Sequence, residues 1–203
     1  MHSRAVWPVS ASAAGADPTL DGETRSSGAA TTPTGVPSPP VPPPRAPPPV
    51  PRRPRLVRLP IGLWVQLQPV GTSDNGLLDA PADVDSAGWW EGGSRLGDPF
   101  GTMLVAARVG SRTEGLGPFA SLLTARPGER IRVWGGGMGQ TYEVRTRRLR
   151  PLEEIAPTSW PRFAHGPARL TLVTPAGSYD ADNGGYQNLA VIVAFPIGEV
   201  LRR

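Results

Sequence analysis

Twelve of the 22 positions from Pro33 to Pro54 are proline, and a stretch of that composition cannot enter a packed core. Each proline fixes its φ and removes a backbone donor, so neither a helix nor a central strand passes through it. The tract is expected in extended polyproline II, as a semi-rigid spacer of about 3 Å per residue. The residues before it are poor in large apolar side chains. Residues 1–56 therefore read as a disordered, proline-rich spacer, and 57–203 as one domain of roughly 150 residues, large enough for a real core. A PxxP ligand is the sharper reading of the same tract. Arg45, Arg52, Arg53 and Arg55 would hold its end near anionic polymers or phospholipid heads. The opening MHSRAVWPVSASAAGAD has a truncated likeness to a signal peptide, which suggests a start codon placed too late. No apolar run of about 18 residues occurs, so no membrane-spanning helix is expected in the sequence given.

What remains to fold carries strand patterning. Residues 169–195, RLTLVTPAGSYDADNGGYQNLAVIVAF, hold two apolar runs, 170–174 and 189–195, joined by a long connection rich in Gly, Asp and Asn. They read as two strands of a barrel or sandwich. Upstream, 57–70 alternates loosely around Pro60 and Gly62, as a bent strand at a barrel corner would. Asn75-Gly76 predicts a hairpin turn, 77–81 a short piece, and Trp89 and Trp90 two rings for the core or its rim. A loop through Gly92, Gly93, Gly97 and Gly101 leads into 102–109, the clearest buried strand of the first half. Residues 130–134 and 141–147 alternate with period two around glycine-rich 135–139, a hairpin signature. Those glycines do not cradle a phosphate, because a strand follows them and no Lys-Ser/Thr is present. Residues 149–161, with Pro151, Pro157 and Pro161, read as irregular around at most one helical turn.

Composition removes whole classes of chemistry. All 21 basic residues are arginine, which excludes a P-loop lysine, a Schiff-base lysine and a Ser-Lys dyad. The chain has no cysteine, which excludes disulfides, cysteine-bound zinc and thiol catalysis. A net charge of +4 permits anionic partners, but the arginines are spread out without aromatic interleaving, so nucleic acid is not an expected partner. Asp180 and Asp182 suggest a calcium loop only faintly, since no Glu stands at the twelfth position. No metal and no cofactor are expected.

Certain residues, taken in order, resemble the class F sortases of bacteria. They are Leu59-Pro60, Gly71, Gly76-Leu77 with Pro81, Gly88-Trp89, Gly92-Gly93, Gly101, and 104–111 where the family reads Leu-Ala-Gly-His-Val-Asp-Ser. Gly117-Pro118 and Pro127-Gly128 continue the likeness, and it closes where a strand ends in Thr-Cys-Gly and Tyr-Arg opens the next. It spans roughly residues 58–196. It implies an all-β, closed sortase-type barrel of about eight strands with short helical turns, at the cell envelope.

The resemblance also implies a mechanism. Sortases cleave a sorting signal with a Cys nucleophile, a His acid/base and an Arg at the oxyanion, then pass the acyl group to an amine. Position by position, the nucleophile falls on Pro175, the histidine on Arg108 and the arginine on Gln187. Proline has no nucleophilic side chain, arginine does not shuttle protons, and Gln187 can donate a hydrogen bond without the charge that would about double its strength.

No catalytic residue is therefore expected, and whether the chain is an enzyme stays open. The expected role is a monomeric, catalytically inactive relative binding an envelope or sorting-signal-like peptide through Arg108, Thr174 and Gln187. For Arg108 a plain water-facing role is the equal alternative. The rival is an active hydrolase or transpeptidase with a hydroxyl nucleophile, drawn from Thr174, Ser111 or Ser178. A hydroxyl needs a base, and the histidines are His2, in the tail, and His165, which reads as an exposed loop residue.

Overall fold

A computed structural model describes residues 49–72, 78, 80–111, 113–152, 165–180, 182 and 185–202. The tract before residue 49, the Asn75-Gly76 turn, Leu77, and most of 149–161 lie outside the described residues. The strands are β1 (Leu56–Arg58), β2 (Trp64–Val70), β3 (Ser86–Trp90), β4 (Thr102–Ala106), β5 (Gly110–Ser111), β6 (Gly115–Leu116), β7 (Arg130–Gly135), β8 (Met138–Pro151), β9 (Arg169–Asp180) and β10 (Gly185–Arg202). One short 3-10 helix, Pro118–Thr124, lies between β6 and β7.

Eight strands close into a barrel in the order β1-β2-β3-β4-β9-β10-β8-β7, and β5 and β6 form a separate two-stranded ribbon. Two neighbour pairs, β2 with β3 and β4 with β9, are parallel; the others are antiparallel. An eight-stranded barrel has an interior that side chains just fill. Here Val57, Val65, Trp89, Met103, Val105, Ile131, Val133, Val144, Leu170, Leu172 and Ile192 fill it, with Phe119 and Leu122 of the 3-10 helix in the same cluster. A smaller cluster, Leu104, Ala106 and Val173, forms a second layer covered by Leu78, Trp90 and Val191. Trp89 and Trp90 thus divide as strand alternation requires. Trp89 is in the core, its indole donating to the Ser94 carbonyl; Trp90 is on the rim, donating to Thr72 Oγ1.

The expected closed barrel is the fold observed, and several boundaries shift. The 130–147 hairpin forms with a tighter turn: Gly135 pairs with Met138, and Gly136 and Gly137 both have positive φ, 57° and 77°. Two such residues make a type I′ turn, whose twist matches the strands. β8 then runs to Pro151, so 149–151 are strand and not irregular. The region 57–70 is two strands rather than one bent one, because Gly62 at φ 94° lets its N–H return to the Leu59 carbonyl and reverse the chain. The strand expected at 102–109 ends at Ala106. Most of the expected connection between the last two strands is itself paired, β9 reaching Asp180 and β10 starting at Gly185.

Residues 52–55 are fastened to the barrel. Arg52 and Leu96 exchange two backbone hydrogen bonds of 2.9 Å, and the Arg55 N–H donates to the Trp134 carbonyl at 2.7 Å. Pro54 is buried, and Arg53 pairs with Glu91 at 3.5 Å. A Cβ on Gly135 would come within 2.1 Å of the Arg53 carbonyl oxygen, so that approach requires glycine. No described helix is long and apolar enough to cross a membrane.

Candidate functional site

Of the residues singled out by the sequence, Arg108, Ser111 and Pro175 come together where β4 ends alongside β9. These strands run parallel with Ala106 opposite Val173, and the Ala107 N–H donates to the Val173 carbonyl at 3.2 Å. β4 stops at Ala106 while β9 continues. Backbone polar groups alternate sides along a strand, so the next position facing β4 is residue 175. A proline is tolerated there because the ladder on that side has ended and no donor is needed.

Where β4 departs, a groove of about 1120 Å³ opens. Arg108, Val109, Gly110 and Ser111 line it from the chain leaving β4, Pro175 and Tyr179 from β9, and Tyr186 and Leu189 from β10, with Leu116 and Leu152 also on the wall. Tyr179 and Tyr186 stand opposite each other in register and meet edge to face, ring centroids 5.3 Å apart at 80°, a favoured aromatic geometry. Leu116 and Tyr179 are 79% and 61% exposed. Arg108 is exposed, and the ion pairs among the described residues are Arg53–Glu91 and Arg145–Glu143. The groove therefore offers aromatic and aliphatic walls beside one guanidinium that has no acidic partner among the described residues.

Arg108 and Pro175 are brought together, and Thr174 is not. Thr174 is fully buried, on the β9 parity of Leu170, Leu172 and Ala176, all of the interior cluster. Its hydroxyl has no hydrogen-bond partner among the described residues. Thr174, expected from the sequence as a binding residue, is not among the groove-lining residues: strand parity puts it on the other side of β9 from its neighbour Pro175, which lines the groove. Gln187 is half-buried on β10, and its Nε2 donates to the Gly185 carbonyl at 2.9 Å. It lies beside the groove-lining Tyr186 but is not itself part of the lining. Opposite it the register slips, since Tyr186 pairs with Tyr179 and Asn188 with Ala176. Gly177 and Ser178 thus face one residue, a bulge that Gly177 permits at φ 84°.

Of the other candidate nucleophiles, Ser178 is exposed on that bulge. Ser111 lines the groove, and its hydroxyl donates to Glu114 Oε2 at 2.9 Å while accepting from the Glu114 N–H at 2.9 Å. This reciprocal pair closes the β5–β6 turn. His165 is exposed just before β9, its carbonyl accepting from Arg169 Nη2 at 3.4 Å. From Arg169 to Pro175 is six strand positions, roughly 20 Å at about 3.3 Å each, so the one described histidine is at the wrong end of the strand to serve the groove. The Asp182 N–H donates to Asp180 Oδ1 at 3.0 Å, a turn cap. The described residues contain no group of three His, Asp or Glu able to hold a metal.

The sequence missed Tyr179 and Leu152 as groove residues, since both fall in segments that read as loop. Tyr179 pairing with Tyr186 across a hairpin was the available signal.

No family model matches the chain, and no curated protein matches it. Solved structures do. The chain is similar to sortase C-1 from Actinomyces oris, at 18% identity and TM-score 0.55, with 74% of each chain covered. It is similar to Listeria monocytogenes sortase A, at 15% identity and TM-score 0.51, with 73% of this chain and 88% of that one covered. It is also similar to sortase C1 from Streptococcus agalactiae, at 20% identity and TM-score 0.53, over 71% and 67%. At these identities the likeness establishes one thing, the fold, which is the sortase-type barrel.

Proposed function

We propose that this barrel is a catalytically inactive relative of the class F sortase transpeptidases, and that it binds an extended peptide of the cell envelope in the groove where β4 leaves β9. One observation carries the reading. Arg108 and Pro175, the positions that the resemblance gives to the acid/base and the nucleophile, line a single groove, and neither has the chemistry of its role. What such a groove retains is recognition: Tyr179, Tyr186, Leu116 and Leu189 take apolar side chains, and Arg108 takes a carboxylate by a charge-assisted, bidentate hydrogen bond. The domain acts as a monomer, and the proline-rich tract before it as a spacer.

Calorimetric titration of the full chain with sorting-signal and wall-stem peptides tests this. Binding that weakens roughly tenfold or more in Arg108→Ala, with no peptide cleavage, is the expected result. Absence of heat, or the same affinity in Arg108→Ala, rejects it.

A second reading, an active hydrolase or transpeptidase with a hydroxyl nucleophile, draws support from the Ser111–Glu114 hydrogen bond on the groove wall. It predicts peptide turnover that is abolished in Ser111→Ala.

A further inference from the structure

Four arginines that the sequence spreads over the 23 positions from Arg126 to Arg148 come together beside the far part of β8. The Arg126–Glu129 turn brings in the first. The Glu129 carboxylate accepts from the Arg126 N–H at 3.1 Å, Gly128 adopts φ 91°, and the turn is tied to Val144 by hydrogen bonds at 2.9 and 2.8 Å. A β-bulge supplies the rest. Val193 pairs with Thr146 and Ala194 with Val144, so Arg145 is the extra residue on β8, and a bulge re-aims the side chains around it. Beyond it Arg147 lies opposite Ile192 and Arg148 opposite Val191, on opposite faces of the strand. The Arg147 Nε donates to the Ala125 carbonyl at 3.2 Å, which fixes its guanidinium beside the same turn.

The four surround a pocket of about 550 Å³, with Thr124 and Thr146 also in its wall. Arg145 pairs with Glu143 at 3.3 Å; among the described residues Arg126, Arg147 and Arg148 have no ion pair. Counting both nearby carboxylates, Glu129 and Glu143, against four guanidiniums still leaves two positive charges. All four side chains are exposed, so core packing does not account for their gathering around one pocket.

We propose that this pocket is a binding site for phosphate groups, separate from the peptide groove. A carboxylate's two oxygens are satisfied by one or two guanidinium forks. A phosphate group has more oxygens and more charge, and suits three or four forks arriving from different directions. Arg148 is four residues, roughly 13 Å of extended chain, from the groove's Leu152, and the two linings share no residue.

The test is titration of the full chain, at low ionic strength, with inorganic phosphate and pyrophosphate, beside sedimentation with phosphatidylcholine vesicles containing or lacking phosphatidylglycerol. The expected result is pyrophosphate binding that weakens roughly tenfold or more in the Arg126→Gln, Arg148→Gln double variant, weakens with added salt, and is unchanged in Arg108→Ala. Co-sedimentation that needs phosphatidylglycerol identifies a lipid headgroup as the source; binding of the soluble ions alone identifies free phosphate or pyrophosphate; both support the site. Equal loss in Arg95→Gln, citrate binding as tight as pyrophosphate, or no binding at all overturns it. Arg148→Gln alone gives the reading if the double variant does not fold. Because Arg108→Ala is the control here and the lesion in the peptide experiment, either proposal can fail without the other.

Discussion

The two faces of β9 carry alternate residues of one continuous run and answer to different physics. Leu170, Leu172, Thr174 and Ala176 face the barrel interior, where every side chain is enclosed. On the other parity, Thr171 is buried, Val173 lies in the second cluster, and Pro175 emerges into the groove. Thr174 and Pro175 are adjacent in sequence, yet one is judged by packing and the other by what it presents to a ligand. A residue on the outer parity, such as Pro175, can therefore vary without a change to the interior packing of the barrel.

The largest effect is expected for Leu172→Ala, on the interior parity. An interior leucine truncated in a closed barrel is expected to cost about 2–5 kcal/mol of stability, read by chemical denaturation. Pro175→Ala on the outer parity is expected to cost about 1 kcal/mol or less, mostly through the freer unfolded chain. Comparable losses would mean that the two parities are not distinct.

A smaller effect is expected at the buried threonines. Thr102, Thr171 and Thr174 have buried hydroxyls without a partner among the described residues, and such a group carries a desolvation cost of about 1–3 kcal/mol. Thr174→Val is expected to stabilise by about 1 kcal/mol and to leave peptide affinity unchanged. Loss of affinity would return Thr174 to the binding site.

The smallest effect is confined to alkaline pH. Burial, helped by the Asp98 carboxylate, pushes the Tyr142 phenol well above the ordinary tyrosine value of 10.0. A folded-state pKa raised above the unfolded one contributes stability that is fully present below about pH 10 and is lost as pH rises beyond it. Wild type is expected to lose stability above that pH, and Tyr142→Phe to remove this part of the slope. Equal slopes in the two would exclude Tyr142 as its origin.

What was legible in the sequence was local. The β7–β8 hairpin showed itself through period two and its glycines, and the last two strands through their apolar runs. The parallel pairs β2–β3 and β4–β9 were not legible, because each joins segments with a long stretch of chain between them and no turn chemistry marks such partners. Parity along 170–174 was hidden for a simpler reason: with both faces of β9 buried, every residue in the run is suited to a core and none announces its direction. Gly177 and Tyr179 read as loop because turn-rich composition was the visible signal, while the pairing with β10 that makes them strand comes from across the hairpin. The arginines of β8 looked dispersed until the bulge at Arg145 collected them.

The two backbone hydrogen bonds between Arg52 and Leu96 have a mechanical meaning. A pull on the chain from its N-terminal side loads this pair and the neighbouring Arg55–Trp134 bond before tension reaches the ladder of β1. Residues 52–55 are therefore the first described contacts that such a load would meet, ahead of the barrel's own ladders.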